Sequence, residues 1–313
     1  MTRSLVTGGA GFIGSHIVRG LLDRGDHVVV LDNLSTGHRS NLKDLEVELI
    51  EGDIRDKDVV QQAMHSVDVV HHQAAYVSSP ASLEEPGECY EINLNGSVNI
   101  LNAAREAGVR RVVMASSAAV YGEAEGPVQE SDETAPGTPY AASKLAMEEA
   151  ANLYTHTFQV PTICLRYFNV YGPRQSLESA YAAAIPIFIT AMLGKEPPTI
   201  YGDGGQSRDF VYVDDVVQAN NLASEAEGSE GGVFNIASGD SISIMSLVEI
   251  LGGLIPEAPE PVQVPPREGD IYTSLANISY AERALGYRPR IDLEDGLKHT
   301  VQWFESERQP RSS

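Results

Sequence analysis

Tyr140 and Lys144 stand four residues apart in TyrAlaAlaSerLys, inside a stretch whose pattern predicts a helix over 140–157, so both side chains share one face a turn apart. An ammonium at that spacing favours the phenolate and is expected to lower the tyrosine pKa from its reference of ~10, as a phenol needs if it is to act as a base near neutrality. The same spacing is common on solvated helix faces, so it needs company to mean anything. Ser117, at the end of a predicted buried strand over 111–117, adds a second hydroxyl. The three together suit a hydride-transfer site in which serine and tyrosine share the proton of a substrate alcohol.

Such a site needs a hydride acceptor, and ThrGlyGlyAlaGlyPheIleGly (7–14) supplies a place for one. It follows the predicted strand 4–7 and opens the predicted helix 13–24. Gly8 permits the tight turn, Gly11 admits a pyrophosphate to the backbone, and Gly14 lets helix and strand pack closely; Phe12 and Ile13 sit in the same turn. Asp32 ends the second strand about 20 residues on, where a carboxylate binds a ribose 2′-OH and repels a 2′-phosphate. NAD is therefore expected rather than NADP, with Arg39 as a neighbouring charge able to soften the preference.

These residues must be held by a parallel sheet. Apolar runs at 4–7, 27–32, 48–53, 67–72, 111–117 and 162–167 read as strands, alternating with helices over 13–24, 56–65, 87–107 and 140–157. The expected fold class is α/β, a Rossmann-type doubly wound parallel sheet with a smaller C-terminal α/β substrate lobe. The expected boundary lies near Gly172, with 1–172 binding the dinucleotide, 173–313 the substrate, and late elements able to cross back. In the second half, 182–194 and 214–223 read as helices, 201–206 as a turn, 209–213 as a strand and 256–266 as a proline-rich connection.

The chain of 313 residues is 42% hydrophobic and 21% charged, with a net charge of −22. That charge argues against nucleic acid and anionic membrane surfaces as partners, and a cytoplasmic protein without a leader or membrane span is expected. Cys89 and Cys164 are too few for a disulfide framework and too isolated for a metal site; buried thiols and no metal are expected. An anionic substrate would have to be drawn in by local arginines against the global field.

The glycine turn, Asp32, the SerSer strand end and TyrXXXLys together resemble the extended short-chain dehydrogenase/reductase family over essentially the whole chain. ArgTyrPheAsnValTyrGlyProArg (166–174), SerArgAspPheValTyrValAspAsp (207–215) and ArgGluGlyAsp (267–270) are similar to its nucleotide-sugar branch, most closely the UDP-sugar 4-epimerases. The resemblance implies that Ser117, Tyr140 and Lys144 are catalytic. It implies cofactor contacts from Asn33, Ser35 and Gly37 after the second strand, from Asp53 and Ile54 at the adenine, and from Gln73, Ala74 and Ala75 after the fourth. Asn93, Ser116, Tyr140, Lys144, Tyr167 and Asn169 complete that set. Asn169, Arg208 and Arg267 would hold the substrate diphosphate and Asp270 the nucleotide, while Val77, Ser78, Gln175, Ala183, Ile185, Tyr201 and Ser274 would line the sugar and nucleotide pocket. Bidentate phosphate recognition suits the arginine fork.

The implied reaction oxidises the sugar at C4′, turns the 4-keto sugar about its pyrophosphate linkage and reduces the other face, leaving NAD regenerated. Ala118 and Ala119 stand where related dehydratases carry an acid pair and decarboxylases a glutamate, so those two outcomes lack their expected groups. Val77 replaces a lysine of UDP-galactose epimerases, and Ser274 replaces a bulky tyrosine, leaving room for a 2-acetamido group. UDP-GlcNAc and UDP-GalNAc are therefore the expected substrates, with UDP-Glc and UDP-Gal also admitted. A UDP-glucuronate 4-epimerase using Arg174 is the alternative, and a non-catalytic NAD-binding regulator would be expected to have lost part of the Ser/Tyr/Lys set. The resemblance also implies a homodimer paired through helices near 87–107 and 140–157.

Overall fold

The computed structural model describes residues 1–176, 183–266 and 272–308. Six strands in the first half, β1 (Arg3–Thr7), β2 (His27–Asp32), β3 (Val47–Glu51), β4 (Val69–His72), β5 (Arg111–Ser117) and β6 (Thr162–Tyr167), fall where the β-branched runs predict them. Between them lie α1 (Phe12–Asp23), α2 (Lys57–Ala63), α3 (Ala81–Glu84), α4 (Pro86–Tyr90), α5 (Ser97–Ala107) and α6 (Pro139–Phe158). Runs such as HisValValValLeuAsp are buried almost throughout because helices cover both faces of the sheet.

The second half supplies β7 (Asn169–Tyr171), α7 (Ala184–Leu193), β8 (Thr199–Tyr201), β9 (Ser207–Arg208), β10 (Phe210–Tyr212), α8 (Val213–Glu225), β11 (Val233–Ile236), β12 (Ile242–Ser243), α9 (Ile244–Leu254), β13 (Val262–Val264), α10 (Ser279–Leu285) and α11 (Leu293–Arg308). The main sheet runs β3-β2-β1-β4-β5-β6-β11, all parallel. Its order reverses between β1 and β4, which opens a crevice at their carboxyl ends.

Two late elements return to this sheet. β11 pairs with β6, and α8 packs so closely on α1 that a Cβ at Gly20 would stand 2.5 Å from Val217 Cγ1. The remaining strands form three two-stranded ribbons around a separate core containing Phe188, Ile200, Leu247, Leu251 and Leu297. One ribbon pairs β13 with β8, so the proline-rich segment read as a bare connection carries a short strand. Its alternation was too brief to read, and Val262 is exposed.

The single helix expected over 87–107 is three pieces: α4, a π-helical turn over Glu91–Gly96, and α5. The wider turn carries Asn93, whose side chain brackets the loop after β4 by accepting from Tyr76 N at 2.7 Å and donating to Tyr76 O at 3.1 Å. Both cysteines are buried free thiols. Among the described residues no helix is long and apolar enough to cross a membrane, and no His/Cys/Asp/Glu cluster suits a metal.

Candidate active site

One cavity of about 760 Å³ runs along the carboxyl ends of the main sheet and joins the glycine turn to the Ser/Tyr/Lys set. At one end the turn is so tight that a Cβ on Gly14 would lie 2.1 Å from Gly8 O, and one on Gly8, at φ +67°, would lie 2.7 Å from Ala74 N. Gly11 caps α1 with no side-chain acceptor, so first-turn N–H groups face the cavity as an anion cradle. Asp32 lines the same space, its Oδ2 accepting from Ala10 N and its Oδ1 from Leu34 N, each at 2.8 Å. Those bonds fix the carboxylate and leave lone pairs for ribose hydroxyls. Arg39 is paired with Glu51, so it does not soften the negative charge at Asp32.

The flanking residues divide. Phe12, Ile13, Asn33, Ser35, Ile54, Gln73, Ala74 and Ala75 line the cavity. Gly37 supports from behind, where a Cβ would meet the Ala10 backbone at 2.9 Å. Asp53 also lines it, with its carboxyl held near 2 by the Arg55 guanidinium and by Asn33, which donates at 3.0 Å. Asn93 does not line it: 1% exposed, it spends its amide on Tyr76 and on Ser143 Oγ at 2.9 Å. Tyr167 does, while its hydroxyl accepts from Asn220 Nδ2 at 2.7 Å and donates to Gln73 Oε1 at 3.3 Å. Asn220, in the middle of α8, carried no sequence signal, since nothing local to it announces a partner 53 residues away.

The other end of the cavity holds the chemistry. α6 starts with Thr138 as N-cap and Pro139 in the first turn, and Ser82 Oγ accepts the otherwise orphaned Tyr140 N–H at 3.1 Å. Tyr140 and Lys144 then face the end of β5, as their spacing predicts. Lys144 Nζ donates to Ala115 O at 2.8 Å. Burial drops its pKa to about 8, against the raising influence of Cys89, Cys164 and Glu148. The expected lowering of the Tyr140 pKa by Lys144 is not what the structure shows. Burial pushes the phenol up, and the group that pulls it back is the Ser117 hydroxyl. The cleft desolvates phenolate and ammonium alike, and the ammonium is turned onto a carbonyl.

Ser117 Oγ also accepts from Ala119 N at 3.2 Å. Ser116, expected beside the cofactor, lines the cavity but sends its hydroxyl inward to Glu148. Ala118 and Ala119 open a 3-10 turn over Ala118–Tyr121 and bring no carboxylate. Among the described lining residues the carboxylates are Asp32 and Asp53, both at the cradle end.

The expected substrate residues are placed unevenly. Val77, Ser78, Gln175 and Ala183 line the main cavity. Gln175 Nε2 donates to Val170 O at 3.1 Å, while its buried Oε1 has no partner among the described residues. Ile185 is 1% exposed inside the second core and is not among the residues that line the main cavity, because its position on α7 faces inward. Tyr201 lines a second cavity of about 590 Å³ with Gln206, Asp203 and Tyr272. Asn169 bridges by donating to Asp209 O at 2.9 Å and Ser274 Oγ at 3.4 Å. Arg208 lies in β9, and its Nη1 donates to Ser207 O at 2.9 Å. Arg267 and Asp270 lie outside the described residues.

The shape of the cradle fits a dinucleotide: glycines where a Cβ would collide, uncapped helix N–H groups, and an acidic residue at the tip of β2. When bound, NAD supplies the hydride acceptor and donor and one unit of positive charge.

Comparison with known proteins agrees. A family model described as the NAD dependent epimerase/dehydratase family matches residues 4–237. UDP-glucose 4-epimerase of Mycolicibacterium smegmatis is 38% identical over 98% of this chain and 100% of its own length. UDP-N-acetylglucosamine 4-epimerase of Methanobrevibacter ruminantium, solved with UDP-N-acetylmuramic acid, is 40% identical with a TM-score of 0.94, covering 98% of this chain and 99% of the other. UDP-glucose 4-epimerase of Thermotoga maritima, solved with UDP-glucose, is 37% identical with a TM-score of 0.93 and the same coverage. With its glycine cradle, its Ser/Tyr/Lys set and these likenesses along nearly its full length, the chain belongs to the NAD dependent epimerase/dehydratase family.

Proposed function

We propose that this protein is an isomerase that interconverts the C4′ epimers of UDP-hexoses with NAD as resident cofactor, acting on UDP-GlcNAc/UDP-GalNAc and admitting UDP-Glc/UDP-Gal. The observation that carries the reading is the single cavity joining the dinucleotide cradle to Ser117, Tyr140 and Lys144 while bringing no described carboxylate to the reacting end. Tyr140 takes and returns the proton of the sugar 4′-OH, with Ser117 as relay. Lys144, as an ammonium below about 8, holds positive charge on the same wall, anchored by Ala115 O. The missing carboxylates matter because loss of water or CO₂ from a 4-keto sugar needs a further acid or base.

Support for acetamido substrates comes from two positions. Ser274 is small and lies against Asn169, and among the described residues the buried Gln175 Oε1 acceptor has no donor, so a sugar O–H or N–H would satisfy it. The glucuronate alternative loses ground at Arg174. That side chain turns to the cradle, donating to His16 Nε2 at 3.3 Å and Asn41 O at 3.4 Å. We also propose a cytoplasmic homodimer paired through α4, α5 and α6, since Tyr90, Leu153 and Phe158 expose apolar surface there, whereas Ala141 and Ala151 pack within the chain. Light scattering tests the dimer.

Purified protein incubated separately with UDP-GlcNAc, UDP-Glc and UDP-GlcA, with products resolved by chromatography, tests the substrate. Epimerisation of UDP-GlcNAc is expected, and Ser274→Tyr should abolish it while sparing UDP-Glc. Turnover of UDP-GlcA alone would sink the reading.

A further inference from the structure

Tyr140, Lys144 and Glu148 stand on successive turns of one face of α6, and the reaction proposed above uses only the first two. Glu148 is 4% exposed. Its Oε1 accepts from Ser116 Oγ and from Arg166 Nε at 2.9 Å, and its Oε2 from Arg166 Nη2 at 2.7 Å. Arg166, in β6, is equally buried and sets its guanidinium carbon 4.7 Å from the centre of the Tyr121 ring. Tyr121 in turn donates to Asn235 Oδ1 at 2.7 Å, which ties the group to β11.

The contacts form a ladder. Lys144 holds Ala115 O, Glu148 holds Ser116 Oγ, and Tyr140 meets Ser117, so three consecutive residues of β5 are each engaged by one turn of α6. Removing two charges from water is costly, and a buried ion pair is often no more stable than an apolar pair of the same volume. Stability alone therefore gives weak reason for a buried glutamate and arginine under a catalytic strand end, whereas a geometric role accounts for both.

We propose that Glu148 and Arg166 are positioning residues: as a fixed pair they turn the Ser116 hydroxyl inward and lock the end of β5 in the register that presents Ser117 to Tyr140. The inference rests on the epimerase reading for its kinetic consequence but not for its geometry. The groups facing Lys144 are Tyr140 and Glu148 from its own helix, Cys89 from α4, Cys164 from β6 and His72 from β4. Arg166 balances Glu148, so removing both charges together leaves that surrounding nearly neutral.

The test is the double variant Glu148→Leu/Arg166→Met, with NAD retained as judged by chromatography of the cofactor released on denaturation. Its kcat for UDP-GlcNAc should fall about 10- to 100-fold with KM nearly unchanged, as misplacement of a reacting group predicts. Independently of turnover, the Tyr140 phenol, followed by NMR of ring-labelled tyrosine and assigned with Tyr140→Phe, should titrate higher than in the parent because the Ser117 contact is loosened. If the double variant does not fold, Ser116→Ala removes only the tie to Glu148 and should move the Tyr140 titration the same way. A folded variant with the parent's Tyr140 titration overturns the inference. A parent protein that turns over no UDP-hexose overturns the function while the titration still decides the ladder.

Discussion

The dinucleotide cradle and the region around Asp209 are both made of loops at strand ends, yet they are held by opposite means. In the cradle most decisive contacts are near neighbours: Gly11 N donates to Gly8 O at 3.1 Å, and Gly14 is bare because Gly8 O occupies the place of its side chain, with the approach of Gly8 to Ala74 the long-range exception. Around Asp209, fully buried after β9, one carboxylate gathers distant chain. It accepts from Ser238 N, 29 residues away, Gly239 N, 30 away, and Ala276 N, 67 away. The first region is fixed by backbone sterics and the second by a single polar hub. Damage to the cradle should therefore fall on NAD, and damage at the hub on the substrate side.

The largest expected effect lies beyond both supports, at the reacting end. Tyr140→Phe should cost about 10³-fold in kcat while NAD stays bound, because no cradle contact passes through the phenol. Steady-state kinetics, with chromatography of the NAD released on denaturation, checks this, and full activity would remove Tyr140 from the mechanism. Gly14→Ala should cost about 3 kcal/mol of stability and release NAD, since the turn cannot move away from its own carbonyl. Thermal denaturation with and without added NAD measures it. Asp209→Ala should cost about 2 kcal/mol by leaving buried N–H groups unpaired, and should raise KM for the UDP-sugar without weakening NAD. An equal loss of NAD affinity would erase the contrast.

A change of pH separates the reacting end from both supports. Burial holds the Lys144 pKa at about 8, below the ordinary lysine value of 10.5, so its buried ammonium opposes folding below about 8. Stability should rise as pH climbs from about 8 toward 10.5, by about 1.4 kcal/mol per unit at most, because the unfolded chain binds the extra proton there. Urea unfolding across that range should show the rise in the parent and not in Lys144→Met.

Five of the six strands in the first half were legible because buried parallel strands are near-continuous apolar runs, the edge strand β3 by its alternation of apolar and acidic residues, and the glycine turn because its spacing reports local collisions. The break in the helix over 87–107 was not legible: its cause is Asn93 reaching Tyr76 and Ser143 on other elements. Ile185 was misread as a substrate contact, since which face of α7 points inward depends on a core assembled from α9, β8 and α11. Tyr140 shows the same limit in its electrostatics, for the residue spacing was right and the sign of the pKa shift was wrong.

By itself the sequence determined the order of strands and helices, the cradle, the acidic tip of β2 and the pairing of Tyr140 with Lys144, all of which follow from contacts within a turn or a short span. Tertiary structure alone decided that β11 and α8 return to the first sheet, that Ser116 turns to Glu148 instead of into the cavity, that Arg174 serves the cradle end, and that Gln175 keeps an acceptor unpaired among the described residues. Each of these depends on which distant groups burial brings together, and the energy of a buried polar atom is set by its partner in space and not by its neighbours in the chain.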